Sequence, residues 1–145
     1  SGDPWRYRDY LRASRGEFTV AKELNVRLRS GWFSDRAACY LAAGRPVVEQ
    51  DTGFGDVLPA GPGLHAFRTV ADAAAAISEI EGDWPRASAH ASAVARDYFA
   101  ADRVLRDLLG VVRRVIVHYQ TDMFEERIQR LIVLHRPDEF LQVFQ

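Results

Sequence analysis

Apolar positions along the chain change their spacing several times, and each change predicts an element. Near the start Asp3 can cap a helix and Pro4 suits its first turn, with Trp5 and Leu11 following until Gly16 breaks the pattern. From Phe18 to Leu28 no period holds, and β-favouring Phe18, Thr19 and Val20 predict a short strand or extended loop. Ser30-Gly31-Trp32-Phe33 reads as a loop. Ser34 or Asp35 then caps a helix to about Ala43, stopped by Gly44 with Pro46 just beyond. Val47-Val48 is an apolar run suited to a buried parallel strand. Its end opens into the glycine-containing stretch Asp51-Thr52-Gly53-Phe54-Gly55-Asp56, and Leu64 to Phe67 predicts a second short strand.

Thr69-Val70-Ala71-Asp72 has the form of a capping box. Val70, Ala73, Ala74, Ile77 and Ile80 mark one face of the helix that follows, ending near Gly82. Asp83 and Pro85 start another helix through Phe99, and Asp102 caps a further one to Leu109. The order is helix, loop, helix, strand, loop, strand, helix, helix, with strands too apolar to face solvent. That alternation predicts an α/β fold.

Composition changes along the chain. All twenty alanines lie in residues 1 to 101, and no glycine follows Gly110. A division into residues 1–110 and a C-terminal extension 111–145 follows. In the extension, Val111 to Tyr119 suits a strand by its β-branching, yet Leu105, Leu108, Leu109, Val112, Val115, Ile116 and Tyr119 keep a helical period. Phe124, Ile128, Leu131 and Ile132 form a clearer helical stripe before Pro137, so the extension reads as mostly helical. This stripe, with Phe140, Leu141, Val143 and Phe144, predicts burial on the domain or a homodimer formed through the tail.

At 48% hydrophobic residues the chain can build a core, which excludes intrinsic disorder. No stretch is apolar enough to span a bilayer, and the opening SGDPWRYRDY lacks a signal segment. A lone Cys39 forms no internal disulfide, which predicts a reducing, cytoplasmic setting. Its place beside Ala42 and Ala43 suits an inert, packed thiol. The net charge of -1 gives no field toward nucleic acid or anionic lipid, and Arg113-Arg114 is too small a basic patch to change that. Of 19 basic residues only Lys22 is lysine. His65, His90, His118 and His135 stand at no metal-ligand spacing, so no metal site is expected. Neither a P-loop, a Gly-x-Ser-x-Gly nor a complete Gly-x-Gly-x-x-Gly occurs.

A loop entering a helix start offers unpaired N–H groups and a positive dipole end to a phosphate. Ser30, Gly31 and Arg36 have that placement, and Arg36 can add a charge-assisted fork or pair with Asp35 or Asp56. Trp32 and Phe33 suit the core, or a base to stack on. The loop at Thr52, Gly53, Phe54 and Gly55 follows a strand, where open α/β sheets bind ligands. There Asp51, Thr52 or Asp56 can meet hydroxyls while the glycines let backbone approach a sugar.

SGWFSDRAACYLAAGRPVV, from Ser30 to Val48, resembles the donor-side signature of GT-B glycosyltransferases: a helix ending in Ala-x-Gly-x-Pro-Val-Val and then a donor loop. DTGFGDVLPAGPGLHAF and ARDYFAADRVLRDLL continue the resemblance, which runs from about Asp3 to Leu109. It is closest to a bacterial branch with an Arg-x-x-Glu-x-x-Ala-x-Gly pattern. Arg36 and Gly44 fall on that pattern, while the family's ribose-binding glutamate falls on Cys39, whose thiol cannot accept two hydroxyl hydrogen bonds as a carboxylate does.

The resemblance implies a Rossmann-like parallel sheet with flanking helices, the second half of a GT-B fold. It implies transfer of a sugar from a nucleoside diphosphate to an acceptor hydroxyl, with the nucleotide-sugar as substrate and neither cofactor nor metal. Ser30, Gly31, Arg36, Thr52, Gly53, Phe54 and Gly55 would bind the donor. The acceptor pocket and general base would lie on an N-terminal domain absent from this chain, so the chain alone is expected to be inactive. The alternative is a non-catalytic interaction module built on the same scaffold, with Cys39 as its symptom.

Overall fold

A computed structural model describes residues 3–116. The first compact unit ends at Arg103, and a second begins at Val104. Helix α1 (Pro4–Ala13) starts where Asp3 accepts the Trp5 N–H and ends at Ser14. Strand β1 (Glu17–Thr19) follows, then the short helix α2 (Glu23–Arg27). The stretch from Phe18 to Leu28, expected to be strand or extended loop, is therefore divided: only its first residues are strand, and the rest contains a helical turn. Five residues are too few to show a helical period, which is why the sequence pattern missed α2.

Helix α3 (Asp35–Ala42) is capped by Ser34, as the sequence predicts. Gly44, at φ +69°, reverses the chain in a conformation that costs glycine little, and Arg45 N–H reaches back to the Tyr40 carbonyl at 2.9 Å. Strand β2 (Val47–Gln50), a 3₁₀ turn at Phe54–Asp56 and strand β3 (Leu64–Phe67) come next. Helix α4 (Val70–Gly82) opens on the complete Thr69–Asp72 capping box, and α5 (Trp84–Phe99) is capped by Asp83.

The strands form one parallel sheet in the order β1-β2-β3. On one face Val47 and Leu64 join Leu11 of α1, Ala37, Tyr40 and Leu41 of α3, and Ala91, Val94 and Ala95 of α5. On the other, Val48 and Phe67 meet Ala73, Ala76 and Ile80 of α4. The face of α4 was expected to include Val70 and Ile77, but both are exposed. Ala73, Ala76 and Ile80 form the buried face instead, and Ala74 is exposed as well. The fold is thus α/β, a parallel sheet covered by helices on both faces. Two strands break the expectation of wholly apolar burial: β2 carries Glu49 into the interior, and β1 leaves Phe18 half-exposed.

In the second unit, residues 104–116 are helical and mostly exposed. The helix that holds them begins at residue 101 and runs past Leu109 and across Gly110, so it is the helical period of Leu105 to Ile116 that holds there and not a strand. The stripe Phe124 to Ile132, the cluster Phe140 to Phe144 and the tail-mediated dimer lie outside the described residues. Among the described residues no helix is long and apolar enough to cross a membrane.

Candidate functional site at the carboxyl end of the sheet

Asp51 leaves β2 and closes a tight turn by accepting the Gly53 N–H at 2.9 Å. Gly53 sits at φ +89°, and a Cβ there would lie 3.2 Å from the Arg29 carbonyl oxygen, so only glycine suits this contact between loops. Thr52 is fully buried: its hydroxyl donates to the Trp32 carbonyl, while its own carbonyl accepts the Gly31 N–H at 2.9 Å. Ser30 completes the seam, donating to Asn25 Oδ1 at 3.1 Å and accepting the Trp32 N–H at 3.3 Å. The two loops marked in the sequence, Ser30 to Trp32 and Thr52 to Gly53, are therefore joined at the end of the sheet.

Two of their neighbours were not expected. The Asp51 carboxylate accepts Nε of Arg68 at 2.8 Å and a terminal nitrogen of Arg29 at 3.3 Å. The Gly53 N–H, then the Arg68 and Arg29 guanidiniums, hold the Asp51 carboxyl below its ordinary range. Both guanidiniums remain largely open to solvent. Arg29 is also the described non-glycine residue with positive φ, at 46°, a conformation that costs about 1 kcal/mol or more for a residue with a Cβ. The arrangement places two cations and one acid beside the loop seam, and Asp51 is committed to bracing them rather than facing a hydroxyl.

Phe54 was expected among donor-binding residues. It is instead 1% exposed and packs 5.3 Å, centroid to centroid, from Phe33, which stacks on Phe99 at 5.7 Å. An aromatic ring between two glycines in a short loop has few ways to avoid water except to turn into the core, and Phe54 does so. Gly55 stays open, with nothing near the position of an added Cβ.

At the start of α3 three of the N–H groups expected to be unpaired have protein acceptors. Ser34 donates to Glu49 Oε1 at 3.1 Å, Arg36 N–H to Asp35 at 2.8 Å, and Ala37 N–H to the Ser34 hydroxyl at 3.4 Å. Arg36 does not pair its side chain with Asp35 or Asp56. Its Nε contacts Glu17 Oε1 at 2.5 Å, and another nitrogen donates to Thr19 at 3.1 Å, while Thr19 itself donates to Glu17 at 2.7 Å. The pair holds Arg36 protonated.

Glu17 and Glu49, absent from the sequence-derived site, are thus brought to this helix start from the sheet. Glu49 is fully buried, and its Oε2, like Oε2 of Glu17, has no hydrogen-bond partner. Burial pushes the Glu49 carboxyl up to about 7; the Ser34 N–H opposes this, Glu17 adds to it and Arg36 relieves it. The signal in the sequence was a glutamate directly after Val47-Val48, inside a run otherwise fit for a buried strand.

Cys39, expected to be packed, is exposed on α3. The helix buries Ala37, Tyr40 and Leu41 instead, so Cys39 falls on its outer side. His65 lies half-buried beside the Pro62 carbonyl at 3.2 Å, and His90 accepts the Gly63 N–H at 3.3 Å. Burial and nearby His65 lower the His90 pKa. Among the described residues no group of His, Cys, Asp and Glu is placed to hold a metal ion. No family model, curated protein or solved structure matches this chain.

Proposed function

We propose that this chain is the nucleotide-sugar-binding half of a glycosyltransferase, a Rossmann-like GT-B domain that moves a sugar from a nucleoside diphosphate to an acceptor hydroxyl. The observation that carries this reading is the seam between the Ser30–Trp32 and Thr52–Gly53 loops at the carboxyl end of β2. Open parallel sheets bind ligands at that end, and the exposed guanidiniums of Arg29 and Arg68 supply positive charge there for a diphosphate. In this reading the guanidiniums stabilise charge on the leaving diphosphate. Arg36 takes part only by releasing Glu17.

A second reading is favoured by the start of α3, where Glu49, Asp35 and Ser34 already take three of the N–H groups a phosphate would use. Under it the chain is a non-catalytic α/β interaction module. Isothermal titration with nucleoside diphosphates separates the two. The donor-binding reading expects saturable heat, weakened roughly tenfold by Arg29→Ala or Arg68→Ala, the usual worth of one charge-assisted hydrogen bond. No heat with any nucleoside diphosphate leaves the module reading.

A further inference from the structure

β1 is the outer strand of the sheet, with β2 on one side and no described strand on the other. The Glu17 N–H donates to the Pro46 carbonyl at 2.9 Å, and Glu17 pairs in register with Val47, Thr19 with Glu49. Main-chain groups alternate direction along a parallel strand, so Glu17 and Thr19 face β2 while the N–H and carbonyl of Phe18 point outward. Gly16 and Val20 flank this strand, one at each end. Neither has a main-chain bond among the described residues.

The side chains around this edge are unusual for solvent. Phe18 is 52% exposed and stacks on Phe67 at 5.1 Å, and Val20 is 64% exposed. Beside them, under α4, lies a cleft of about 180 Å³ lined by Arg15, Gly16, Phe18, Val48, Ile77 and Ile80. Its walls are mostly apolar, and its rim carries the exposed Arg15–Glu81 ion pair. An edge with free polar groups beside an apolar cleft is a template for an added strand, with main-chain bonds giving adhesion and the cleft taking a side chain.

We infer that β1 pairs antiparallel with β1 of a second copy of this chain, about a two-fold axis at Phe18, to make one continuous sheet. The geometry closes on itself. With Phe18 opposite Phe18, the outward N–H and carbonyl of each bond the other, as in a hydrogen-bonded antiparallel pair. Two residues either way, Val20 of the second copy comes opposite Gly16, on the face that holds the cleft. The exposed valine therefore meets the wall that lacks a side chain, and it does so twice, by symmetry. On the opposite face Glu17 meets Thr19 of the second copy rather than another acid, so no like charges stand directly opposite. This surface is independent of the donor-binding reading and of the C-terminal tail.

The test is sedimentation velocity on the full chain across a concentration series, expected to show a dimer. Phe18→Pro removes the outward N–H but no bond between β1 and β2, and is expected to weaken dimerisation by roughly tenfold or more. Val20→Arg changes an exposed side chain, so its fold is not at risk, and it is expected to have the same effect. In a Cys39→Ser background, Phe18→Cys places the two sulfurs across a pair whose Cα atoms lie about 5.5 Å apart. Mild oxidation is then expected to give a covalent dimer. A chain that stays monomeric with no such cross-link, or a dimer unmoved by both Phe18→Pro and Val20→Arg, overturns the proposal.

Discussion

Glu49 Oε1 accepts the N–H of Ser34 at 3.1 Å, so a fully buried carboxyl terminates the positive end of α3. The bond favours the charged form and burial the neutral one, and burial wins: the carboxyl is pushed from 4.5 to about 7. A raised carboxyl pKa means that the folded state holds the proton more tightly than the unfolded chain. Its contribution to stability is complete below the unfolded value of 4.5 and lost as pH rises through about 7. The loss approaches about 3 kcal/mol. Glu49→Gln keeps an acceptor for Ser34 and cannot ionise. It is expected to match the parent near pH 4.5 and exceed it by about 2–3 kcal/mol at pH 8, measured by urea unfolding. Parallel stability curves for the two proteins would mean that Glu49 titrates normally.

Arg36 is the cation beside Glu17, whose side chain is 4% exposed while that of Arg36 is 54% exposed. The outer position of the guanidinium limits what the ion pair itself adds. Removing it still leaves a buried acid facing only Thr19. Arg36→Ala is expected to cost about 1–3 kcal/mol, and Glu17→Gln in the same chain to recover most of it. Thermal unfolding of the single and double variants reads this directly. If the double variant is less stable than Arg36→Ala, the burden is not the stranded Glu17 charge.

Two glycines of the β2–β3 connection are expected to behave oppositely. A Cβ on Gly63 would lie 2.3 Å from the Ala87 carbonyl oxygen and 2.5 Å from the Ala91 nitrogen, both backbone atoms of α5. Neither can yield without moving the helix, so Gly63→Ala is expected to cost about 3 kcal/mol or to prevent folding. Gly55 has nothing within 4 Å of an added Cβ, and Gly55→Ala is expected to stay within about 0.5 kcal/mol of the parent. In the donor-binding reading the same substitution lowers nucleotide-sugar affinity, since it blocks close approach of the backbone. Circular dichroism melts together with titration of the Gly55 variant distinguish a structural from a binding role.

What the sequence revealed was local. The Ser34 cap, the Gly44 stop and the Thr69–Asp72 box each act within a few residues, so their residue types name them in the text alone. Strand β2 was legible from its contiguous Val47-Val48, and β3 from Leu64, Ala66 and Phe67 set close together around His65. The partnerships across the sheet were not. Glu17 and Arg36 are joined only because β1 packs beneath α3, and Glu49 reaches Ser34 across the same layer. Arg29 and Arg68 converge on Asp51 from different loops, although nothing in their spacing marks them as neighbours. Phe54 shows the opposite failure, since its place in a glycine-rich loop suggested a ligand contact and the fold needed it for the core.

Asp51 offers the sharpest division between the possible roles of this loop. If its carboxylate served to bind hydroxyls of a donor, its removal would weaken binding. In the structure that carboxylate is instead taken up by the Gly53 N–H and by Arg68 and Arg29. Asn at this position retains an acceptor for the Gly53 N–H and withdraws one negative charge from between the two guanidiniums. Its effect on the fold is expected to be about 1 kcal/mol, present at neutral pH and vanishing as pH falls through the depressed Asp51 pKa, because the parent then loses the same charge. The two released cations are open to solvent, and their attraction for a diphosphate is no longer offset. Asp51→Asn is therefore expected to tighten nucleoside diphosphate binding by roughly threefold or more at low ionic strength, with the gain shrinking as salt screens it. Titration of both proteins at two salt concentrations measures this, and a weaker affinity in the variant would assign Asp51 to the ligand instead of to the arginines.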